Sequence, residues 1–508
     1  MSSRRGFLQG LAALTVSTTL ARARAATARS YPFKLGIASG YPGPGSVVLW
    51  TRLLDIEGGA ALPVRWEIAS DDSMHRMVAS GEVLAEPAWA HSVHVEARGL
   101  EPDRWYWYRF RAADAESPVG RTRTAPAAGA RAPRLRFAFA SCQQYEHGYY
   151  AAYRHLEADA PDLVAFLGDY IYEATWGREL IRSHGSPEAF TLADYRARYA
   201  LYKSDPDLQA AHAACPWIAT WDDHEVVNDY AGDRGSAYEE PREFYLRRAA
   251  AYKAFYEHMP LPQSMRPGEA GLPLHCTLDW GALARFYMLD DRQHRSQHAC
   301  PEPRRRGGGS TRLKVADCAE LAATERSLLG WEQERWLENV LVQSPAAWNV
   351  LAQQTRMAQW DQLAGDGRIA WTDGWDGYPA ARKRLLEFLD ARAVRNPVVL
   401  GGDIHAFHVA ELKADFDDPG SRVVASEFVG TSITSFGPSV KRLQALLPDN
   451  PHVLFAESRF RGYVRVDLVP GQWRAELRAM DHVKSRDAPC RTLASFVVED
   501  GRAGPQRA

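Results

Sequence analysis

Four short apolar runs of the sequence each end in a cluster of side chains that could bind a metal ion. The clusters are Ser141-Cys142-Gln143, Gly168-Asp169-Tyr170-Ile171-Tyr172-Glu173, Trp221-Asp222-Asp223-His224-Glu225 with Asn228-Asp229 beyond it, and Gly401-Gly402-Asp403-Ile404-His405-Ala406-Phe407-His408. In layered α/β folds, functional sites assemble at the carboxyl ends of strands, so these side chains are expected to meet. Buried carboxylates that meet repel one another unless a cation neutralises them. The pattern therefore predicts a metal centre that includes Asp169, Asp223, Asp403 and His405.

The ligand types narrow the choice of metal. Carboxylate and amide oxygens, such as those of Asp169 and Asn228, suit hard cations such as Ca²⁺, Mg²⁺ or Mn²⁺. The imidazole of His405 suits iron, zinc or manganese. A thiolate from Cys142 or a phenolate from Tyr172 favours a more acidic ion, for which ferric iron is the natural candidate.

The clusters belong to a region in which strands and helices alternate, and which begins near residue 134. The strand-length apolar runs are Leu135–Ala140, Leu163–Leu167, Trp217–Thr220, Leu283–Leu289, Trp348–Leu351, Val398–Leu400 and Glu427–Val429. Two helical stretches between them carry aromatic stripes, one of Leu192, Tyr195, Tyr199 and Tyr202 after the capping pair Thr191 and Asp194, the other of Tyr245, Tyr252, Tyr256 and Met259 after Pro241. Both stripes are expected in the core. The alternation predicts an α/β domain of layered sheets and helices over residues 134–495.

The part of the chain before this region has the pattern of short β-strands. Val64, Trp66 and Ile68 alternate with polar residues, and Trp105–Phe110 is aromatic and alternating. Turns rich in glycine and proline separate such runs, which predicts a fibronectin-like β-sandwich domain over residues 31–125. A stretch rich in alanine, proline and glycine follows as a linker.

The end of the chain contains one clear hairpin signal. Tyr463–Leu468 and Trp473–Leu477 flank the turn residues Pro470-Gly471, which predicts two antiparallel strands. Residues 496–508 are assigned to a C-terminal tail, and its polar end is expected to be loose.

The first 25 residues have the features of an export signal. Arg4-Arg5 precedes Phe7-Leu8 and a mildly apolar stretch, and Ala23-Arg24-Ala25 fits a cleavage site. Two adjacent arginines in this context indicate a twin-arginine signal, with an ordinary secretory signal as the alternative. The twin-arginine export machinery is then a partner, and the mature protein is periplasmic or secreted. Because that route carries folded proteins, a metal ion can be inserted before export.

The overall composition excludes several classes of protein. The 508 residues are 46% hydrophobic and 24% charged, with a net charge of −2. These values are typical of a folded globular chain and give no general attraction to nucleic acid. No apolar run reaches the ~18 residues that a membrane helix needs, so stable membrane insertion is not expected. The oligomeric state is left open.

Two loop features have structural explanations in the sequence. Six cysteines in an exported chain permit disulfides, and Cys300 and Cys318 bracket a glycine-rich loop that a bridge would close. For the arginine-rich segments Arg292–Arg295 and Arg304–Arg306, contact with substrate phosphates is one interpretation. Solvated loop charge is the preferred interpretation of both.

Taken together, these motifs make the chain resemble the PhoD-type alkaline phosphatases and phosphodiesterases, a metallophosphoesterase branch related to purple acid phosphatases. Besides the four clusters, the resemblance is carried by Gly36-Ile37-Ala38-Ser39-Gly40, Ser46-Val47-Val48-Leu49-Trp50-Thr51-Arg52-Leu53, Asp376-Gly377-Tyr378-Pro379 and Glu427-Phe428-Val429-Gly430-Thr431-Ser432. It covers nearly the whole mature chain. It implies a layered metallophosphoesterase α/β sandwich behind an N-terminal β-sandwich, and a centre of Fe³⁺ and Ca²⁺, with Mn²⁺, Zn²⁺ or Mg²⁺ as alternatives.

The resemblance also implies roles for individual residues. The implied metal ligands are Cys142 and Tyr172 on ferric iron, Asp169 as the bridging carboxylate, and Asp223, Asn228, Asp403 and His405 as the remaining iron and calcium ligands. His224 corresponds to the histidine that meets the phosphate. How Asp222, Asp223, Asn228 and Asp229 divide the ligation stays open. Gln353-Gln354 lies near the position where relatives place a histidine ligand.

These roles lead to a hypothesis for the reaction. A metal-bound hydroxide attacks the phosphorus of a phosphomonoester or phosphodiester in line, and His224 donates a proton or hydrogen bond, so that His224 and Asp169 are the candidate catalytic residues. Attack by Cys142 is the competing mechanism. A non-catalytic exported binding protein that uses the β-sandwich is the alternative function. A metallopeptidase is disfavoured because the sequence has no His-Glu-x-x-His motif.

Overall fold

Strands and helices alternate along most of the chain in the computed structural model, which describes residues 28–235, 240–269, 271–302 and 309–508. The predicted signal peptide and Arg304–Arg306 lie outside the described residues. The strands before residue 125 are β1 (Ile37–Gly43), β2 (Ser46–Arg52), β3 (Leu62–Ala69), β4 (Met77–Ala85), β5 (Ser92–Arg98), β6 (Trp105–Ala112), β7 (Ala115–Glu116) and β8 (Gly120–Arg123).

Each predicted strand run and both strands of the predicted hairpin are present among the remaining strands, which also include strands that the sequence analysis did not predict. They are β9 (Leu135–Ala140), β10 (Leu163–Leu167), β11 (Trp217–Thr220), β12 (Cys276–Trp280), β13 (Ala284–Met288), β14 (Arg312–Lys314), β15 (Trp348–Ala352), β16 (Ile369–Trp371), β17 (Pro397–Gly401), β18 (Phe407–Lys413), β19 (Val423–Val429), β20 (Val453–Glu457), β21 (Arg461–Val469), β22 (Gln472–Met480), β23 (Cys490–Glu499) and β24 (Gln506–Arg507). The helices are α1 (Ala152–Ala158), α2 (Leu192–Lys203), α3 (Pro206–Ala214), α4 (Pro241–His258), α5 (Trp331–Val342), α6 (Pro379–Ala391) and α7 (Val440–Leu446).

Two large sheets pack against each other through one shared core. The first has the order β24-β23-β22-β21-β9-β10-β11-β1-β2-β5, and the second the order β12-β13-β15-β17-β19-β18-β20. Phe137 on β9 meets Phe286 on β13 across the interface, with ring centroids 5.2 Å apart. Alternate residues of the strands serve the two faces. Phe137 packs towards the second sheet, whereas its neighbour Ala138 packs with residues of α1–α4.

Helices α5, α6 and α7 cover the outer face of the second sheet. The architecture is therefore helix, sheet, sheet, helix, which agrees with the predicted layered α/β sandwich.

The N-terminal strands form a β-sandwich that shares a sheet with the rest of the molecule. Its core lies between β1, β2 and β5 on one side and the β3–β4–β6 sheet on the other. Strand β1 runs parallel to β11, where Gly40 lies opposite Trp217. A Cβ at Gly40 would stand 2.6 Å from the Trp217 carbonyl oxygen, so glycine permits this close approach.

Helix α2 begins and packs as the sequence predicts. Thr191 and Asp194 form a capping box, and Tyr195, Tyr199 and Tyr202 are buried. The stripe on α4 is only partly internal, because Tyr245 is 52% exposed. Tyr245 lies in the first turns of α4, where this face of the helix reaches solvent, so its assignment to the core was wrong.

The C-terminal end contains both a confirmed and an incorrect prediction. Strands β21 and β22 form the predicted hairpin, with Val469 opposite Gln472. The tail is not loose, because β23 continues to Glu499 and β24 pairs with it, while the Gly504 N–H donates to Ser426. The sequence alone did not reveal that a sheet edge was available for this polar segment.

Cys300 and Cys318 form a disulfide, as predicted. Within the described ranges, no helix is both long and apolar enough to cross a bilayer.

Candidate metal centre

The four predicted clusters meet where the carboxyl ends of β9, β10, β11 and β17 come together. The first three strands belong to one sheet and β17 to the other, and a parallel bridge between Ser141 and Ser432 joins the two sheets at this point. A Cβ at Gly402 would lie 2.5 Å from Ser141 Oγ, so a glycine permits the close approach of the two strand ends here. The centre therefore lies at the junction of the two sheets.

The backbone at the centre adopts a conformation that side chains rarely accept. Positive φ angles occur at Cys142 (60°), Asp169 (56°), Asp403 (62°) and His405 (52°). Left-handed backbone at residues other than glycine is costly, and it persists where surrounding contacts determine it. Here the Cys142 N–H donates to the Gly168 carbonyl at 3.1 Å, which fixes the end of one strand against the next.

The first part of the centre combines sulfur, oxygen and nitrogen donors. Ligand atoms of Cys142, Asp169 and His405 all lie within 4.8 Å of one another. The Tyr172 hydroxyl joins this group, donating to Asp169 Oδ2 at 2.8 Å and lying 3.1 Å from His405 Nε2. The other ring nitrogen of His405 lies 2.8 Å from the Phe436 carbonyl, which fixes the ring.

The second part of the centre is acidic. Carboxylate oxygens of Asp222, Asp223 and Asp403 lie within 4.8 Å of one another. Burial raises the pKa of all three carboxyls, and repulsion from neighbouring carboxylates adds to it. The two oxygens of Asp223 accept the backbone N–H groups of His224 and Asp229, at 3.0 and 2.5 Å. The backbone thus holds the orientation of Asp223.

Asp169 links the two parts. One ligand group contains Asp169 with Cys142 and His405, and another contains Asp169 with Asp223 and His224. Burial opposes its ionisation, but the imidazoles of His224 and His405 and the Tyr172 hydroxyl hold the pKa of Asp169 below its ordinary value. Its Oδ1 has no hydrogen-bond partner among the described residues. An ionised, buried carboxylate with a free oxygen is suited to bind a cation.

His224 is oriented by a residue for which the sequence suggested no role. Glu173 Oε2 lies 2.6 Å from His224 Nδ1, and Glu173 Oε1 accepts the Asn228 N–H at 2.9 Å. Burial opposes protonation, but the carboxylates of Glu173, Asp223 and Asp169 outweigh it and raise the pKa of His224 well above its ordinary value. The pair makes His224 a positioned donor.

A second overlooked residue, Glu225, holds two strand ends together. Its carboxylate accepts the N–H groups of Asp169 at 3.1 Å, Tyr170 at 2.6 Å and Asp222 at 2.8 Å. Gly168 is tightly enclosed beside it, with φ of 100° and no room for a Cβ, which would meet Asp222 at 2.5 Å. The sequence showed Glu225 only as part of a motif, because its hydrogen bonds depend on the packing of β10 against β11.

The sequence left the ligand roles of several residues open, and the structure places only some of these residues at the centre. Asp222 lies in the acidic group, whereas the side chain of Asp229 accepts a hydrogen bond from Ser310 at 2.5 Å. Asn228 is exposed beside the centre. Gln354 is engaged elsewhere, accepting the Asp291 N–H and donating to the Leu289 carbonyl.

The interpretation of Arg292–Arg295 as solvated charge was wrong. Arg292 is completely buried, and its Nε donates to Asp222 Oδ1 at 2.5 Å. Arg295 is also buried and forms an ion pair with Asp373. These acidic partners are 70 and 78 residues away from the two arginines in the chain, so the local sequence gave no sign of them.

The donor set fits a metal centre. Asp222 Oδ2, like Asp169 Oδ1, is buried without a hydrogen-bond partner in the described part of the chain. Burial, followed by the charge of Asp169, raises the pKa of Cys142 well above its ordinary value. Without a cation, Cys142 is therefore a neutral thiol, which is a poor nucleophile. This environment argues against covalent attack by Cys142.

Comparison with known proteins agrees with the geometry. The model of the PhoD-like phosphatase family matches residues 137–477, and the model of its N-terminal domain matches residues 18–126. Alkaline phosphatase D of Bacillus subtilis (strain 168) is 45% identical over 525 aligned residues, covering 99% of this chain and 88% of the relative.

A solved structure of PhoD superposes with a TM-score of 0.90 at 45% identity, covering 95% of this chain and 93% of the other. The predicted fold class and the predicted phosphoesterase function are thereby confirmed. The comparisons give no support to the alternative of a non-catalytic binding protein. The chain belongs to the PhoD-like phosphatase family and is a hydrolase of phosphoric ester bonds.

Proposed function

We propose that this phosphoesterase works with Fe³⁺ and Ca²⁺ held at the junction of its two sheets. The proposed ligands are Cys142, Asp169, Tyr172, Asp223, Asn228, Asp403 and His405, to which we add Asp222. The single observation that supports this most is the meeting of two donor groups of different character through Asp169.

The two donor groups suit different ions. Cys142, Tyr172 and His405 place a thiol, a phenol and an imidazole around the Asp169 carboxylate, a set suited to an acidic ion such as ferric iron. The oxygens of Asp222, Asp223 and Asp403 suit a hard cation such as Ca²⁺. Asp169 is then the shared ligand.

The chemistry divides between the cations and the chain. When bound, the cations neutralise the phosphoryl oxygens and make a coordinated water acidic enough to lose a proton near neutral pH. Because Glu173 occupies Nδ1 of His224, Nε2 is the ring nitrogen left to donate a hydrogen bond or proton to a substrate oxygen. Tyr172 packs against the His224 ring, with centroids 4.1 Å apart, and limits its rotation.

We further propose that the protein is exported by the twin-arginine machinery and acts in the periplasm or outside the cell. The adjacent Arg4 and Arg5 support this route. Export after folding is consistent with a buried centre whose ligands come from both sheets, since such a centre forms only in the folded chain.

Hydrolysis assays test the proposed dependence on metal. Nitrophenyl phosphate monoesters and diesters are assayed with the natively exported protein, before and after treatment with a chelator. We expect the chelator to abolish turnover, and Fe³⁺ together with Ca²⁺ to restore it. Unchanged turnover in a sample that elemental analysis finds free of metal would contradict the proposal.

A further inference from the structure

Arg292 places a permanent positive charge inside the acidic part of the centre. It lies in the segment after β13 and is completely buried. Its Nε donates to Asp222 Oδ1 at 2.5 Å, and its Nη1 lies 2.8 Å from both carboxylate oxygens of Asp373. Two of the three guanidinium nitrogens are thus committed to carboxylates.

The third nitrogen faces the candidate ligands without bonding to them. Nη2 lies 3.8 Å from Asp223 Oδ1 and 3.9 Å from Asp403 Oδ1. It has no hydrogen-bond acceptor among the described residues. At these distances the guanidinium acts on both carboxylates as a charge, and the interaction is strong because the site is buried.

Arg292 is held by a buried network centred on Asp373. Asp373, its bidentate partner, also pairs with Arg295, and the Asp373 carbonyl accepts a hydrogen bond from Arg295 at 2.8 Å. His298 Nε2 lies 3.0 Å from Asp373 Oδ1. This buried network holds the guanidinium beside the acidic carboxylates.

We propose that Arg292 is a resident cation of the metal centre, which neutralises part of the charge of Asp222, Asp223 and Asp403. This charge lets the acidic cluster fold before metal arrives, and it weakens the binding of the divalent ion that the same carboxylates hold. On Asp223, Arg292 acts by charge, because backbone N–H groups already orient both oxygens of that carboxylate. The inference rests on the proposed metal centre.

The test compares R292M, which removes the charge, with R292K, which keeps it. Arg382 offers a matched control, R382M, because it is also buried and pairs with an aspartate, Asp376, at 2.6 Å. Thermal midpoints are measured for each full-length mature protein in EDTA and in saturating Ca²⁺, and the affinity for Ca²⁺ is measured by titration calorimetry.

We expect R292M to lose stability in EDTA, to regain most of it in Ca²⁺, and to bind Ca²⁺ about tenfold more tightly than the parent. R292K should bind Ca²⁺ like the parent. R382M should show the same decrease in thermal midpoint in EDTA and in Ca²⁺. Equal losses of R292M in both buffers, with an unchanged Ca²⁺ affinity, would overturn the inference.

If R292M folds only when Ca²⁺ is present, the inference is also supported. If R292M folds in neither buffer, the Ca²⁺ affinity of R292K is compared with that of the parent protein. An unchanged Ca²⁺ affinity supports action by charge, and an affinity weaker by about tenfold or more overturns the inference. Failure of the parent protein itself to bind Ca²⁺ would instead refute the proposed calcium site, so the two failures can be told apart.

Discussion

The Tyr172 hydroxyl donates a hydrogen bond of 2.8 Å to Asp169 Oδ2, which ties the phenol to the carboxylate that the two donor groups share. A second hydroxyl, that of Ser435, donates to the Tyr172 oxygen at 2.8 Å. The phenol oxygen is therefore fixed from two sides before any ion binds. This fixed position makes Tyr172 an informative residue for testing the proposed iron site.

Replacing Tyr172 with phenylalanine removes the oxygen and keeps the buried ring. We expect Y172F to fold but to lose most of its iron, while its calcium content is retained. Elemental analysis measures both metals, and the visible absorption of a ferric phenolate should disappear. Y170F is the control, since Tyr170 is equally buried but bonds to His212 at 2.8 Å. Iron content in Y172F equal to that of the parent would remove Tyr172 from the ligand set.

We expect His224, oriented by Glu173, to protonate the leaving group. H224N should lower kcat by about 10²–10⁴-fold, the usual range for loss of a general acid. E173Q should lower it by roughly 10-fold or more, because the ring loses its orienting carboxylate. Both losses should be larger for esters with poor leaving groups.

E146Q is the control for this pair, because Glu146 lies 3.3 Å from a different buried histidine, His184. It should reduce stability and leave the dependence on the leaving group unchanged. Equal losses in H224N for good and poor leaving groups would show that His224 does not act as the acid.

We expect the buried Lys203 to make the stability of the folded protein depend on pH, independently of the metal. It is buried against the Trp50 ring, 4.2 Å from the centroid, and burial lowers the pKa of Lys203 to about 7. In the unfolded chain its pKa is about 10.4, so between these values the unfolded state binds more protons and stability rises with pH.

K203M should remove this contribution. Relative to the parent, the variant should therefore gain most stability below pH ~7 and least above pH ~10. Between these values, the free energies of unfolding of the two proteins should change with pH at slopes that differ by at most about 1.4 kcal/mol per pH unit. Urea unfolding at several pH values measures it. A difference that does not vary with pH would mean that Lys203 keeps its ordinary pKa in the folded protein.

We expect the disulfide to stabilise the folded protein without affecting the metal centre. Cys300 and Cys318 are 18 residues apart, and loss of the bridge should lower the free energy of unfolding by about 2–4 kcal/mol. The double variant C300S/C318S should retain its metal content and kcat at moderate temperature. A loss of bound metal would show that the loop supports the centre.

The sequence predicted the positions of the strand ends well and their electrostatic surroundings poorly. Runs such as Leu163–Leu167 are entirely apolar and stop at Gly168, so their bounds could be read directly. Arg292 lies among polar neighbours, and nothing near it in the chain reveals Asp222 or Asp373. Contacts across such separations depend on how the two sheets dock, which periodicity does not encode.

The same limit explains the error at the C-terminus. Gln506–Arg507 has no apolar pattern, yet it pairs with β23 at the edge of the first sheet. Its pairing is through backbone groups, which any sequence supplies. Local composition therefore predicted a loose tail where the fold provides an edge.

The central claim, that Asp169 holds the metal centre together, is tested most directly by its replacement. D169N is compared with D162N, because Asp162 and Asp169 are both buried and flank the same strand, β10, at opposite ends. Iron and calcium content and kcat are measured on the natively exported proteins. We expect D169N to lack bound metal and turnover, and D162N to keep both at some cost in stability. A folded D169N that retains the metal content and kcat of the parent would contradict the central claim.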